Sequence, residues 1–117
     1  MTTRRTGKGR PPVLSNAALD KMIEEALVDA YGTSEQITAL HAMLEERLAI
    51  PFKTTILGVE VTVTRVELTT DEHIVAVCAR GRVHQRIPIL DLPLPDPPPA
   101  GAEWVAAFRR WASQGNC

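Results

Sequence analysis

The sequence predicts an α+β fold: an N-terminal helix pair, a small SH3-like bent β-meander or barrel of four to five strands, and a C-terminal docking helix. Apolar residues recur at helical spacing before residue 50, alternate with polar residues from residue 52, and return to helical spacing after a run of prolines. The chain has 117 residues, of which 44% are hydrophobic and 23% charged. That balance is typical of one globular domain, which we expect over residues 15–115.

The helix pair is predicted over residues 16–50, and its first helix has signals at both ends. Ser15 or Asn16 is a suitable N-cap because a short polar side chain accepts a hydrogen bond from the first turn. Gly32 suits the left-handed conformation that commonly follows a helix C-terminus. We therefore expect the first helix to continue almost to Gly32, with Asp29 in its last turn.

The second helix is predicted to follow at once. Thr33 and Gln36 have the spacing of a capping box. Pro51 ends the helix because proline disfavours a helical conformation in the residue before it. His41 lies on the apolar face and is expected to be a hydrogen-bonded boundary residue. The short connection implies that the two helices pack against each other or cross at a sharp angle.

The strands are predicted over residues 52–94. Apolar and polar residues alternate as far as Arg65, after which the apolar positions shift by one residue to Val66 and Leu68. A bulge or sharp bend explains the shift, and small barrels use such bends. Arg80 and Gly81 are expected to form a tight turn between two later strands.

A proline-rich connector over residues 95–100 and a helix over residues 101–113 complete the domain. Trp104, Phe108 and Trp111 share one face of that helix. Three of the five aromatic residues on one stripe predict that the helix docks onto the domain, although an exposed binding stripe would show the same spacing.

Composition and motifs exclude several classes of function. Residues 1–14 carry four basic side chains, and their composition predicts a disordered basic tail. Four charges attract nucleic acid only weakly, so we do not expect nucleic acid as a partner. The sequence has no apolar run long enough to span a membrane and no secretory signal, so we expect a cytoplasmic protein without a membrane partner. A P-loop, a dinucleotide fingerprint and a serine nucleophile elbow are also lacking, which predicts that it is not an enzyme.

Cysteine and histidine residues do not predict a compact zinc site. Cys78 is expected to be a buried, inert thiol and Cys117 a terminal one. His73 and His84 would approach each other if their strands pair, but Cys78 has the opposite strand parity from His73 and so faces the other side of the sheet.

Acidic residues are concentrated between residues 20 and 72, where eleven carboxylates accompany four basic side chains. Asp29 beside the carbonyls of a helix end, with Thr33 and Glu35 just after it, offers the oxygen ligands that calcium prefers. Further carboxylates are expected to add charge on the second helix and the strands; they are Glu45, Glu46, Glu60, Glu67, Asp71 and Glu72.

Two other interpretations stay open on spacing alone. In the first, Glu35 supports the start of its helix and the remaining acids form a solvated surface, an interpretation favoured by the absence of an EF-hand loop from the sequence. Alternatively, the domain is a non-enzymatic SH3-like interaction module that contacts protein or nucleic acid through a basic hairpin of Arg80, Arg82 and Arg86.

A series of short motifs resembles the CcbP type of bacterial calcium-binding protein. The motifs occur in the family's order across residues 20–115, and they are Val28-Asp29-Ala30-Tyr31-Gly32, Glu35-Gln36, Leu44-Glu45-Glu46, Ile50-Pro51-Phe52, Gly58-Val59-Glu60-Val61, Ile87-Pro88-Ile89 and a closing helix from Trp104 to Trp111. Each motif is weak alone, but their common order is fairly specific.

The resemblance implies a cytoplasmic calcium-binding protein, a buffer or sensor, with sites made of surface carboxylates. The acids that match the family's are Asp29, Glu35, Glu45, Glu46 and Glu60, with Asp71 and Glu72 in the corresponding loop. The family is more acidic in the strands and the last helix, where this chain has arginines such as Arg109 and Arg110. Because calcium affinity falls when fewer charged ligands are present, we expect weak binding.

Overall fold

The protein is described by a computed structural model over residues 14–116. Two helices come first, four strands follow, and a third helix comes near the end of the chain. Their bounds are α1 Asn16–Ala26, α2 Thr33–Arg47, β1 Phe52–Ile56, β2 Val59–Leu68, β3 Ile74–Arg80, β4 Val83–Pro88 and α3 Glu103–Trp111, with a 3-10 turn at Ile89–Asp91. The predicted α+β class and the order of its elements are confirmed.

Helix α1 begins as predicted and ends earlier than predicted. The Ser15 hydroxyl accepts a hydrogen bond from the Ala18 N–H at 3.1 Å, which confirms the N-cap. The helix ends at Ala26, since Leu27 leaves the helical conformation and its carbonyl accepts a turn hydrogen bond from Ala30. Asp29 therefore lies in the turn between the helices, and its predicted position in the last helical turn is wrong.

The start of α2 is organised by a residue other than the predicted cap. Gly32, with a φ of 99°, precedes the helix, and Thr33 is its first residue, so the capping box of Thr33 with Gln36 is wrong. Glu35 instead accepts a hydrogen bond from the Tyr31 N–H at 2.7 Å. The carboxylate therefore satisfies a backbone donor just before the helix, as a capping side chain does.

The four strands form one antiparallel sheet in the order β1-β2-β3-β4. Leu57 and Gly58, with φ values of 51° and 79°, connect β1 to β2 in a two-residue turn that matches the twist of a hairpin. The predicted bulge is confirmed, because the register between β2 and β3 shifts between Val63 and Arg65. Strands β1 and β4 lie at the two edges of the sheet, and its closure into an SH3-like barrel stays a prediction.

Helix α3 packs against α1 and α2, which confirms the predicted docking. Phe108 and Trp111 are buried and stack with their ring centroids 5.8 Å apart, while Trp104 is half-buried. The Trp111 indole N–H donates to the Gln36 side chain at 3.1 Å, so the polar atom of this buried ring is satisfied. The docked stripe joins the core beneath the sheet, which includes Leu40, Leu44, Val63 and Ile89.

The sheet extends beyond the helices that cover it. A strand with the ten residues of β2 is about 33 Å long, whereas a helix with the nine residues of α3 is about 14 Å long. Along β3, the core-facing side chains change from buried at Ala76 and Cys78 to exposed at Arg80. The end of the sheet that carries the β1–β2 and β3–β4 turns therefore has an uncovered face.

Some predictions concern residues beyond this description. The predicted tail over residues 1–14 is outside the described part except for Leu14, and Cys117 is outside it as well. Cys78 is buried, and burial raises the pKa of its thiol, as expected for an inert cysteine. Within residues 14–116, no helix is long and apolar enough to cross a membrane.

Candidate functional site

A groove between α1 and α2 contains two of the predicted site residues. Asp29 and Glu35 both line it, together with Ser34, Thr38 and small apolar residues, and its volume is about 460 Å³. The connection between the helices is short enough for the two carboxylates to share this surface. We call it the α1–α2 groove.

The two acids of the groove differ in their surroundings. Glu35 is in the first turn of α2, where the helix dipole favours a negative charge, and one of its oxygens already accepts the Tyr31 N–H. Asp29 is exposed and makes no hydrogen bond or ion pair with any residue between 14 and 116. The charge of Asp29 therefore has no partner in the described part of the protein.

The two acids predicted further along α2 lie away from the groove. Glu45 follows Glu35 by ten residues, which corresponds to about 15 Å along a helix. Its carboxylate lies 3.7 Å from the His41 ring, and that of Glu46 lies 4.0 Å from the Arg47 guanidinium. His41 also contacts the Val66 carbonyl at 3.2 Å, as expected of a hydrogen-bonded boundary residue. Both acids therefore have weak local partners.

The predicted acids of the sheet lie at two separate places. Glu60, at the start of β2, lines a groove with the proline-rich segment at Pro93. Asp71 and Glu72 form the turn between β2 and β3, where Glu72 has a φ of 64° and its N–H donates to the Thr69 carbonyl. Across residues 14–116, no group of three or more acidic, histidine or cysteine side chains is placed to hold a metal ion together. The described structure therefore brings predicted ligands together in pairs at two places, Asp71 and Glu72 in this turn and Asp29 and Glu35 in the α1–α2 groove, and the second pair also lies beside the C-terminus of α1.

Two acids outside the α1–α2 groove, Asp20 and Glu67, have arginine partners. Asp20 on α1 binds Arg110 on α3 through both carboxylate oxygens, at 2.9 and 3.1 Å. The hydrogen bond from Arg110 holds the pKa of Asp20 below its usual value. This pair joins the first helix to the last.

The second arginine-bound acid is Glu67, whose two oxygens accept from Arg65 at 2.6 Å and Arg86 at 2.8 Å. Hydrogen bonds from both guanidinium groups lower the pKa of Glu67. Because Arg65 and Arg86 flank Val77 on the neighbouring strands, Glu67 links β2 to β4 across β3. Arg86, one of the three arginines of the predicted basic hairpin, thus pairs with an acid of the sheet.

A second groove was missed at the sequence level. It lies on the uncovered end of the sheet, has a volume of about 410 Å³, and we call it the hairpin groove. Its apolar lining consists of Ile56, Leu57, Val59, Val61, Val83 and Ile87. Apolar and polar residues alternate through these strands, but alternation does not show whether an apolar face is covered. The available signal was that the apolar face of the strands is longer than the three short helices that could cover it.

Comparisons with known proteins give two structural likenesses. No family model matches the sequence, and no curated protein matches it significantly. The crystal structure of Anabaena CcbP superposes with a TM-score of 0.65 at 20% identity, over 86% of this chain and 93% of that one. The chain has a CcbP-type fold. This agrees with the resemblance found in the sequence motifs.

A second solved structure has the same fold. It is described as a calcium-binding protein in its calcium-binding form, and it matches with a TM-score of 0.68 at 19% identity over the same shares of the two chains. Coverage of 93% of each relative means that the comparison includes nearly the whole of their domains. At this identity, the likeness establishes the shared fold.

Proposed function

We propose that this protein binds calcium weakly through surface carboxylates and acts as a cytoplasmic buffer or sensor rather than as an enzyme. The observation that carries the proposal is the joint position of Asp29 and Glu35 in one groove of a fold shared with a protein described in its calcium-binding form. The principal site of the proposal is the α1–α2 groove.

The donor chemistry of this groove fits calcium. Calcium binds six to eight oxygen ligands, and carboxylates, backbone carbonyls and water all serve. Asp29 provides a carboxylate that has no partner among residues 14–116, and it lies just after the C-terminus of α1, an end of the helix dipole that favours a cation. Glu35 has one oxygen engaged with Tyr31 and a second oxygen available for a cation.

The same features predict low affinity. Two carboxylates offset less of the dehydration of calcium than the larger acidic sets of tight sites, and both lie on an exposed surface. The other predicted ligands, Glu45, Glu46, Glu60, Asp71 and Glu72, would act as separate, weaker contacts because they are distributed over α2 and the sheet. We therefore expect millimolar rather than micromolar binding.

A calcium titration followed through backbone amide NMR signals tests the proposal. We expect saturable shifts centred on residues 27–38, with much smaller shifts in an equal concentration of magnesium, because magnesium keeps its own water shell more firmly. The absence of saturable shifts near Asp29 and Glu35 at millimolar calcium would contradict the proposal.

The same spectra separate a buffer from a sensor. A buffer should show shifts confined to the α1–α2 groove. A sensor should also shift the signals of a second region, such as α3, because calcium would then change the packing of the helices. Binding of 8-anilinonaphthalene-1-sulfonate with and without calcium provides an independent check, since a sensor that opens exposes apolar surface.

A further inference from the structure

We propose that the hairpin groove and the free edge of β4 form a docking surface for an extended, acidic segment of a partner protein. The partner segment would add as a strand beside β4 and place alternate apolar side chains in the groove. This mode of recognition uses main-chain hydrogen bonds for affinity and side-chain pockets for specificity.

The first argument is the unusual exposure of apolar side chains. Leu57 is 98% exposed and Val83 is 67% exposed, and both line the same groove. Val59 is also exposed, so the apolar residues form one continuous surface rather than isolated positions. A concave apolar surface of this kind is typical of a binding site.

The second argument is the free edge of the sheet beside that groove. Strand β4 pairs with β3 alone within residues 14–116, and its residues from Val83 to Arg86 are exposed. An unpaired edge offers backbone donors and acceptors to an added strand. The opposite edge is less available, because Thr54 of β1 donates a hydrogen bond to the Pro93 carbonyl of the proline-rich segment.

The third argument is charge complementarity, which identifies the chemistry of the partner. Arg80 lines the groove, and Arg82 lies in the adjacent turn without an ion pair or hydrogen bond to any described residue. None of the residues that line the groove is acidic. Glu60 alternates with the groove residues Val59 and Val61, so its side chain is on the other face of the sheet. Arg80 donates a hydrogen bond to the Glu60 backbone carbonyl at 3.1 Å, but neither arginine forms an ion pair with a described residue, so their positive charge is available to an acidic partner.

Other occupants fit these features less well. A symmetric contact between the hairpin grooves of two copies would bring no acidic side chain to Arg80 and Arg82, because no residue that lines the groove is acidic. Nucleic acid is disfavoured because the lining is aliphatic and offers no aromatic side chain for base stacking. A flat lipid surface would leave the concave part of the groove unfilled.

The test uses a synthetic peptide of about eight residues, slightly longer than β4, with valine at alternate positions, threonine between them and glutamate at both ends, so that an acidic end reaches Arg80 and Arg82 in either strand direction. We expect amide shifts confined to β4, to Cys78–Arg80 and to Ile56–Val61 when it is added to the full chain. A peptide in which lysine replaces each glutamate should not bind, and one in which serine replaces each valine should bind far more weakly.

Variants of two exposed residues sharpen the test without threatening the fold. Arg82→Glu should weaken binding of the acidic peptide about fivefold, because an attractive charge becomes a repulsive one. Val83→Ser should weaken binding by a similar factor, since it removes apolar surface. Arg47→Glu is the matched control, because it reverses an exposed charge on α2 and should leave binding unchanged.

Several outcomes would overturn the proposal. The first is binding of the lysine peptide as tight as that of the acidic peptide, and the second is no localised shift with the acidic peptide. The third is a shift of the same residues that depends on protein concentration alone, which would identify a second copy as the occupant. Binding of an RNA oligonucleotide or of anionic phosphatidylserine vesicles through Arg82 and Val83, without binding of the acidic peptide, would contradict it as well.

Discussion

Asp20 and Asp29 lie close together in the sequence, yet the structure uses them in opposite ways. Asp20 faces α3 and holds Arg110 with both oxygens, whereas Asp29, in the turn after α1, has no partner among residues 14–116. The first acid belongs to the region where α3 is anchored, which we call the anchored region. The second belongs to the α1–α2 groove. A count of acidic residues therefore overstates the negative charge that is available to a cation, because some of these residues already bind arginine.

The largest expected difference between these regions is the effect of removing an aromatic ring. Phe108 is 5% exposed in the anchored region, and Tyr31 is 78% exposed beside the α1–α2 groove. Phe108→Ala should lower the free energy of unfolding by about 3 to 5 kcal/mol, because it leaves a cavity in the core. Tyr31→Ala should change it by less than about 0.5 kcal/mol. Urea unfolding curves measure both, and equal effects would contradict the distinction.

Two glycines with positive φ provide the next comparison. A Cβ at Gly101 would overlap the backbone carbonyl of Arg47, whereas a Cβ at Gly32 would meet no atom. Gly101→Ala should therefore destabilise the protein by at least about 3 kcal/mol, through both overlap and backbone strain. Gly32→Ala should cost only about 1 to 2 kcal/mol of strain. Thermal unfolding of the two variants at one pH distinguishes them, and an equal loss would rule out the close approach at Gly101.

A smaller effect concerns the backbone hydrogen bond that Glu35 accepts from Tyr31. Glu35→Ala removes the acceptor and should cost about 0.5 to 1 kcal/mol of stability, a typical value for a helix-capping side chain. Glu35→Gln retains an oxygen acceptor and should remain within about 0.3 kcal/mol of the original protein. A loss as large in the glutamine variant would mean that the charge, rather than the hydrogen bond, supports the turn.

The pH dependence of stability provides the subtlest comparison. Because Arg110 lowers the pKa of Asp20, the folded pKa lies below the unfolded one, and the ionised acid stabilises the fold above the ordinary value of 3.8. That contribution is lost as the pH decreases through the folded pKa. Asp20→Asn should therefore lower the melting temperature at pH 6, and the difference from the original protein should disappear under strongly acidic conditions.

Asp29→Asn is the matched control for the pH experiment. Asp29 has no hydrogen-bond or ion-pair partner within the described residues, so Asp29→Asn removes no such contact and should not lower the melting temperature at pH 6 as Asp20→Asn does. A profile altered equally by both substitutions would show that the two acids do not differ in the way the structure indicates.

The sequence predicted those features that depend on neighbouring residues. Ser15 caps α1 through the N–H of Ala18, and the change of apolar phase near Arg65 marks the bulge in β2. The aromatic stripe of α3 was also recognisable, because helical spacing alone places Phe108 and Trp111 on one face. The carboxylate Glu35 was identified as a support of the helix start, although its donor is Tyr31 rather than a residue of the helix.

Features that depend on distant residues were not predictable in this way. The partner of Asp20 is Arg110, at the other end of the domain, and the partners of Glu67 include Arg86 on another strand. Local propensity also failed at Leu57, because a leucine with a φ of 51° is unusual in a hairpin turn. The early end of α1 was missed because Ala26 and Ala30 continue the apolar spacing beyond the helix.

The most direct test of the proposed function is a calcium titration of the original protein and two matched variants. We compare the original protein with the double substitution Asp29→Asn and Glu35→Gln, which removes two charges from the α1–α2 groove and keeps the Tyr31 hydrogen bond, and with Asp20→Asn. The double variant should bind calcium at least about tenfold more weakly, because each lost charge contributes on the order of 1 kcal/mol near the surface. Asp20→Asn should retain the original affinity. Unchanged calcium affinity in the double variant, or an equal loss in Asp20→Asn, would contradict the assignment of calcium binding to the groove.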